Sequence, residues 1–165
     1  MTNILNAKRI NQITTFLKSL NIQSKRFSEI IRTQNISVIQ EFNQAFIHSS
    51  EDKIINYEKL EFFGDAVLRL AASNFIEKKY PQMGVGERSE LRAQIVSDEW
   101  LTKLGGEIDI EKLIIKGPKA LGDENSRNTI IGEATEALIG AIYKCFDSIQ
   151  EVNLWLDDIW EEDSK

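Results

Sequence analysis

One stretch constrains the fold more than any other: apolar residues recur at helical spacing from Tyr57 to Tyr80, and Pro81 stops the run. The middle of the chain is thereby committed to one long helix. Inside it, Leu60-Glu61-Phe62-Phe63-Gly64-Asp65-Ala66-Val67-Leu68 puts two carboxylates one turn apart in a segment that otherwise favours burial. Residues at i and i+4 share a helix face, so Glu61 and Asp65 lie side by side, and Glu58 stacks one turn earlier. Like charges at that spacing cost roughly 0.2–0.5 kcal/mol when exposed and more when desolvated. Gly64 adds roughly 1 kcal/mol relative to alanine, which predicts a second backbone packed very close to it.

No alternation of Val, Ile and Thr with polar residues lasts long enough for a sheet, so the chain is expected to be all-α. Further helices are predicted over Lys8–Leu20, Ser37–Phe46, Ser126–Phe146 and Ile149–Trp160. Another is predicted from Ser89 to Leu104, with Gly105-Gly106 as its stop and Gly84 and Gly86 as a tight turn before it. Asn56 is the expected N-cap of the long helix. Glu107–Ile115 reads as a short helix or irregular turn, and Lys116–Asn125 as a loop.

The 165 residues suffice for one domain, and hydrophobic and charged fractions of 42 % and 28 % are those of an ordinary globular protein. No apolar stretch approaches the ~20 residues needed to span a bilayer. Met1–Lys18 lacks an apolar signal core, and the single cysteine, Cys145, excludes an internal disulfide and any Cys-rich zinc site. A cytoplasmic location without membrane association is expected. The net charge of −6 argues against a nucleic-acid partner unless cations cover some carboxylates or basic groups cluster locally.

A second acidic segment, Gly132-Glu133-Ala134-Thr135-Glu136-Ala137-Leu138-Ile139-Gly140, carries Glu133 and Glu136 on one helix face among small residues that permit close helix approach. If the two helices pack together, four or five carboxylates converge, and oxygen-only ligands suit Mg²⁺, Mn²⁺ or Ca²⁺. The alternative is a solvated face, with Asp65 paired to Arg69 at i+4. A ferritin-like di-iron site would need Glu-x-x-His pairs, and neither Glu133 nor Glu136 begins one. His48, the only histidine, reads as a structural hydrogen-bonding group. Ser49 and Ser50 lack an activating arrangement. Trp155 and Trp160 read as core or interface residues, Cys145 as buried and inert, and Lys116, Lys119 and Arg127 as flanks of a loop that could touch phosphate.

Glu58-Lys59-Leu60-Glu61-Phe62-Phe63-Gly64-Asp65-Ala66-Val67-Leu68 resembles the signature helix of the ribonuclease III endonuclease domain. Glu133-Ala134-Thr135-Glu136-Ala137-Leu138-Ile139-Gly140-Ala141-Ile142-Tyr143 resembles its second catalytic helix. Ala45-Phe46-Ile47-His48-Ser49-Ser50 and the segment Ser89–Val96 match in the same order, and the resemblance covers about Ile10 to Trp160. It implies the all-α fold of that domain in a helical homodimer that cleaves double-stranded RNA with Mg²⁺, Mn²⁺ being able to substitute. The ends would be 5′-phosphate and 3′-hydroxyl with short 3′ overhangs. No small-molecule organic cofactor is implied.

By the same resemblance, Asp65 and Glu136 are catalytic, and Glu61, Asp65, Glu133 and Glu136 bind metal. Glu58 is an auxiliary acidic residue at the mouth of the site. Phe62 inserts into the partner subunit, its alternative being a core phenylalanine. The sequence departs from the family pattern at Glu133, where aspartate is usual, and at Val85, where an acidic residue often precedes the glycine. Nothing after Trp160 matches the double-stranded-RNA-binding domain that commonly follows, so residues 1–165 are expected to form a single endonuclease domain without one. The runner-up is a weakened or inactive dimer serving as an RNA-binding or scaffold subunit, motivated by Glu133.

Overall fold

The computed structural model describes residues 5–165; the first four residues of the domain expected over 1–165 lie outside the described residues. Helices α1 (Ala7–Ser19), α2 (Lys25–Thr33) and α3 (Ile36–Gln44) precede the long α4 (Glu58–Lys79). Then follow α5 (Val85–Ile95), α6 (Asp98–Glu107), a 3₁₀ turn (Ile110–Leu113), the short α7 (Pro118–Leu121), α8 (Arg127–Phe146) and α9 (Gln150–Asp163). Among the described residues the extended structure is one parallel bridge, Ile47 with Ile115. The fold is all-α, as the periodicity predicts. No helix among the described residues is long and apolar enough to cross a membrane.

α8 is the axis of the core. Ile130, Ile131, Ala134, Ala137, Leu138, Ile139, Ala141 and Ile142 are buried on several of its faces, whereas α4 buries one stripe through Leu60, Val67, Leu68, Ala71 and Phe75. The two cross where both lack a side chain. A methyl group built on Gly64 would collide with the Glu136 carbonyl oxygen, and one on Gly140 would lie 2.5 Å from the Leu60 carbonyl oxygen. The close backbone approach predicted from Gly64 is therefore present, and α8 is the element that makes it. On its other side, α8 meets α6, where Gly105 leaves room for Thr135 and Ile131.

Several local features differ from the sequence reading, among them the one-turn helix α7 within the segment expected as a loop. The Ser89–Leu104 helix is two helices: Val96 leaves helical geometry and the Ser97 hydroxyl accepts the Trp100 N–H at 3.1 Å, capping a new start. Gly105-Gly106 lies inside α6 rather than ending it, because Gly105 is held by packing on α8. Gly84 caps α5, donating its N–H to the Glu87 carboxylate at 3.0 Å, and neither Gly84 nor Gly86 has a positive φ. α2 is an addition, started by Ser24, whose hydroxyl accepts the Phe27 N–H at 3.2 Å. Trp160 is buried between Phe75 and Trp100 and donates its indole N–H to the Ile95 carbonyl at 3.2 Å. Trp155 is buried as well.

Candidate active site

The Gly64–Gly140 crossing brings the two acidic segments together. Glu61 from α4, Glu133 and Glu136 from α8, and Asp98 and Glu99 from the first turn of α6 line a cleft of about 380 Å³. Leu101, Thr102, Thr129 and Gly132 complete its walls. Glu61, Glu133 and Glu136 are half-buried and Asp98 is exposed. The α6 wall lies outside the two acidic segments that the sequence singles out, although Ser97-Asp98-Glu99 is the usual signature of an acidic helix start.

Burial and mutual repulsion act together on the carboxyl groups. Glu136 is pushed up to about 7 by burial first and then by Asp65, Glu61 and Asp98, with Arg69 opposing. Burial, then the charges of Glu133 and Glu58, push Glu61 up to about 7 as well. Asp65 belongs to this electrostatic group without lining the cleft. Its carboxylate accepts from Arg69 Nε at 2.8 Å, the i+4 pair legible in the sequence. Glu58 is exposed on the α4 first turn, where Asn56 Oδ1 accepts its N–H at 3.0 Å. The Asn56 side chain thus caps α4 as predicted, although Tyr57 occupies the N-cap position itself.

Among the described residues no three of these carboxyl groups stand close enough together to enclose a cation as they are placed. Two of the four expected ligands are held by other partners. Asp65 faces Arg69, and Glu133 Oε2 accepts the Tyr57 hydroxyl at 2.5 Å. Tyr57 is 1 % exposed, and burial followed by the Glu133 contact raises its phenol strongly, so it is a donor at any physiological pH. Its ring lies edge-on to His48 at 5.6 Å. His48 Nδ1 accepts the Ser50 N–H at 3.1 Å, so the ring carries its proton on Nε2 when neutral, and burial lowers its pKa. Ser50 Oγ lies 2.7 Å from Nδ1 and accepts the Gly117 N–H at 2.9 Å. His48 and Ser50 are thereby committed to joining the loop before α4 to the loop before α7.

Outside the cleft, Phe62 is 84 % exposed, which excludes the core-phenylalanine alternative. Arg127 makes two bonds to Glu111, at 2.8 and 2.6 Å, and Lys116 approaches the same carboxylate at 3.7 Å. Two of the three basic groups considered for phosphate are thus engaged within the protein, and Lys119 is exposed. Val85 is exposed, and Glu87, the nearby acid, is spent on capping α5. Cys145 is only partly buried, and burial pushes its thiol up to about 12, which leaves it unreactive.

The family profile described as Ribonuclease-III-like matches residues 40–153. Over its whole length the chain is 42 % identical to Ribonuclease 3 of Prochlorococcus marinus, covering 66 % of that protein. It is 39 % identical to Ribonuclease 3 2 of a Synechocystis species over 69 % of this chain and 47 % of the relative. Beyond the Prochlorococcus protein, the chain spans about half the length of the curated relatives it matches. Among solved structures, the nuclease domain of ribonuclease III from Campylobacter jejuni superposes with a TM-score of 0.65 at 25 % identity, over 92 % of this chain and 90 % of that one. That structure was described for flexibility in a region involved in its dimer formation. Dicer from Pichia stipitis matches with a TM-score of 0.61 at 25 % identity, over 74 % of this chain and 54 % of that one.

Proposed function

We propose, from the premise that this chain belongs to the ribonuclease III family, that it is a divalent-metal-dependent endoribonuclease acting on double-stranded RNA. The observation that carries the reading is the convergence of Glu61, Glu133 and Glu136 from two helices on one cleft, where burial and neighbouring carboxylates push Glu61 and Glu136 up to about 7. An arrangement that is repulsive alone and built only of oxygen donors fits a hard cation such as Mg²⁺ or Mn²⁺. Glu61, Asp65, Glu133 and Glu136 would hold it, and when bound it supplies Lewis-acid polarisation of the phosphodiester and a lowered pKa for the attacking water. Asp65 and Glu136 are the catalytic carboxylates in this reading, and Glu58 is auxiliary at the mouth.

The protein's own groups do the rest. Arg69 orients Asp65 from the same helix, and Tyr57 orients Glu133. Without a cation, burial and neighbouring carboxylates push Glu61 and Glu136 up to about 7, so a cation there replaces protons. No protein nucleophile is required, and Ser50 is committed to His48 and Gly117. The products would be 5′-phosphate and 3′-hydroxyl ends with short 3′ overhangs. A-form RNA is recognised through shape, 2′-hydroxyls and phosphates, which suits an acidic protein whose positive charge at the site comes from cations. The domain would span residues 1–165 and act in the cytoplasm as a homodimer, with the exposed Phe62 ring covered by a second copy.

The test is long duplex RNA with Mg²⁺, wild type beside Glu136→Gln and beside chelator. Metal-dependent cleavage lost in both controls is the expected result. Absence of cleavage at high protein, with RNA binding and dimer intact, would sink the enzyme reading. It would favour the second one, a weakened or inactive dimer acting as an RNA-binding or scaffold subunit. Glu133, one methylene longer than the aspartate usual at that place, is what favours that alternative.

A further inference from the structure

Tyr57 stands immediately before α4 with almost every degree of freedom taken. Its N–H donates to the Ile47 carbonyl at 2.9 Å and its carbonyl accepts the Glu61 N–H at 2.8 Å. Its ring is packed against His48, itself pinned by Ser50. Backbone and ring are therefore immobilised, and the hydroxyl is the polar end that leaves this packing. It ends on Glu133 Oε2 at 2.5 Å. An aspartate at 133 would end one methylene short, about 1.5 Å. That shortfall would stretch the contact beyond hydrogen-bond range and strand a buried hydroxyl.

We propose that Tyr57 is the positioning residue for Glu133, and that the two form a length-matched pair fixing how this carboxylate meets a hard divalent cation. The proposal rests on reading the cleft as a cation site. A glutamate side chain has more rotamers to lose than an aspartate, and without the hydroxyl the cation alone would have to order it. Partners that orient metal-ligating groups are typically worth 10- to 100-fold in affinity.

The experiment is a titration of the full chain with Mn²⁺ alone, without RNA, followed by electron paramagnetic resonance. Metal-free thermal denaturation runs in parallel, for wild type, Tyr57→Phe, Glu133→Asp and the double variant. Tyr57→Phe keeps the ring and its packing. It should weaken Mn²⁺ binding about 10-fold in the native background. In the Glu133→Asp background, where the pair is already broken, the loss should be less than about twofold. Glu133→Gln, which keeps the length, should preserve the metal-free coupling to Tyr57 that Glu133→Asp loses. Unchanged Mn²⁺ affinity in Tyr57→Phe, or the same loss in both backgrounds, would make Tyr57 a packing residue and overturn the proposal. A wild type that binds no Mn²⁺ would instead bring down the cation-site reading, and the pair with it.

Discussion

The two acidic walls of the cleft are built on opposite principles. On α4 the outer carboxylates are served close at hand, Asp65 by Arg69 one turn on and Glu58 by solvent, while Glu61 faces the cleft. On α8 they are served from a distance. Glu133 is held by Tyr57, seventy-six positions away, and Glu136 is repelled by Asp65, Glu61 and Asp98 from two other helices. The difference follows from burial. α4 shows one face to water, where Asp65 and Glu58 find a local partner or solvent, whereas α8 is enclosed by α4 and α6 and its acids, like Glu61 turned toward them, meet groups brought by other segments. An acidic helix face on the surface states its own electrostatics, while one in the core takes them from its surroundings.

The comparison breaks most sharply at the crossing that creates it. Gly64→Val should cost about 3 kcal/mol or more, because its side chain would meet the Glu136 carbonyl of a helix fixed on both sides. Urea denaturation measures this, and a midpoint close to wild type would mean the helices can separate without losing the fold.

Next in size is the ligand exchange across the walls. Asp65→Asn and Glu136→Gln should each reduce Mg²⁺-dependent cleavage of duplex RNA by more than the roughly 100-fold that outer partners cost. Equal losses from the two would show that the locally and distantly supported acids serve one centre. A loss confined to Glu136→Gln would assign the chemistry to the buried wall alone.

A pH titration of stability sharpens the contrast further. Glu61 and Glu136 have folded values near 7, above the ordinary 4.5. The folded state therefore binds more protons than the unfolded chain between pH 4.5 and 7, and stability falls as pH rises through that window. Metal-free Tm should decline from pH 5 to pH 8, with the decline reduced in Glu136→Gln and offset by Mg²⁺ or Mn²⁺. A Tm that climbs over the same interval would show that the carboxylates are not in conflict.

The smallest effect is expected on the α4 side. Arg69→Ala removes a largely exposed ion pair, so it should change stability by roughly 0–1 kcal/mol. Denaturant midpoints would reveal a larger role. A change well above that range would mean Arg69 supports the α8 wall as well as Asp65.

Much of this was legible from the residues in order. The long helix before Pro81, the Gly64 contact and the Asp65–Arg69 pair depend on spacing within one element. The missed α2 had signals available, a Ser24 cap followed by Phe27, Ile30 and Ile31 at helical spacing, but its remaining positions are polar enough to read as loop. The break at Val96–Ser97 was masked by apolar residues that continue across it, and the acidic start at Asp98 that marks the new helix also supplies the unforeseen wall of the cleft. Gly105-Gly106 reads as a stop because glycine usually ends helices. Contact with Thr135 and Ile131 reverses that local preference.

By itself the sequence determined which helices form around the acids, which faces carry charge and, through ordered motifs, the family. Those outcomes rest on periodicities of a few residues, where neighbours in the chain are neighbours in space. Only the tertiary structure decided that α6 joins the cleft, that Glu111 takes up Arg127 and Lys116, that Phe62 points outward, and that Tyr57 holds Glu133. The sequence order leaves these contacts open because they join different elements, and for the cleft the approach of α4 to α8 at Gly64 and Gly140 sets the distance between its walls.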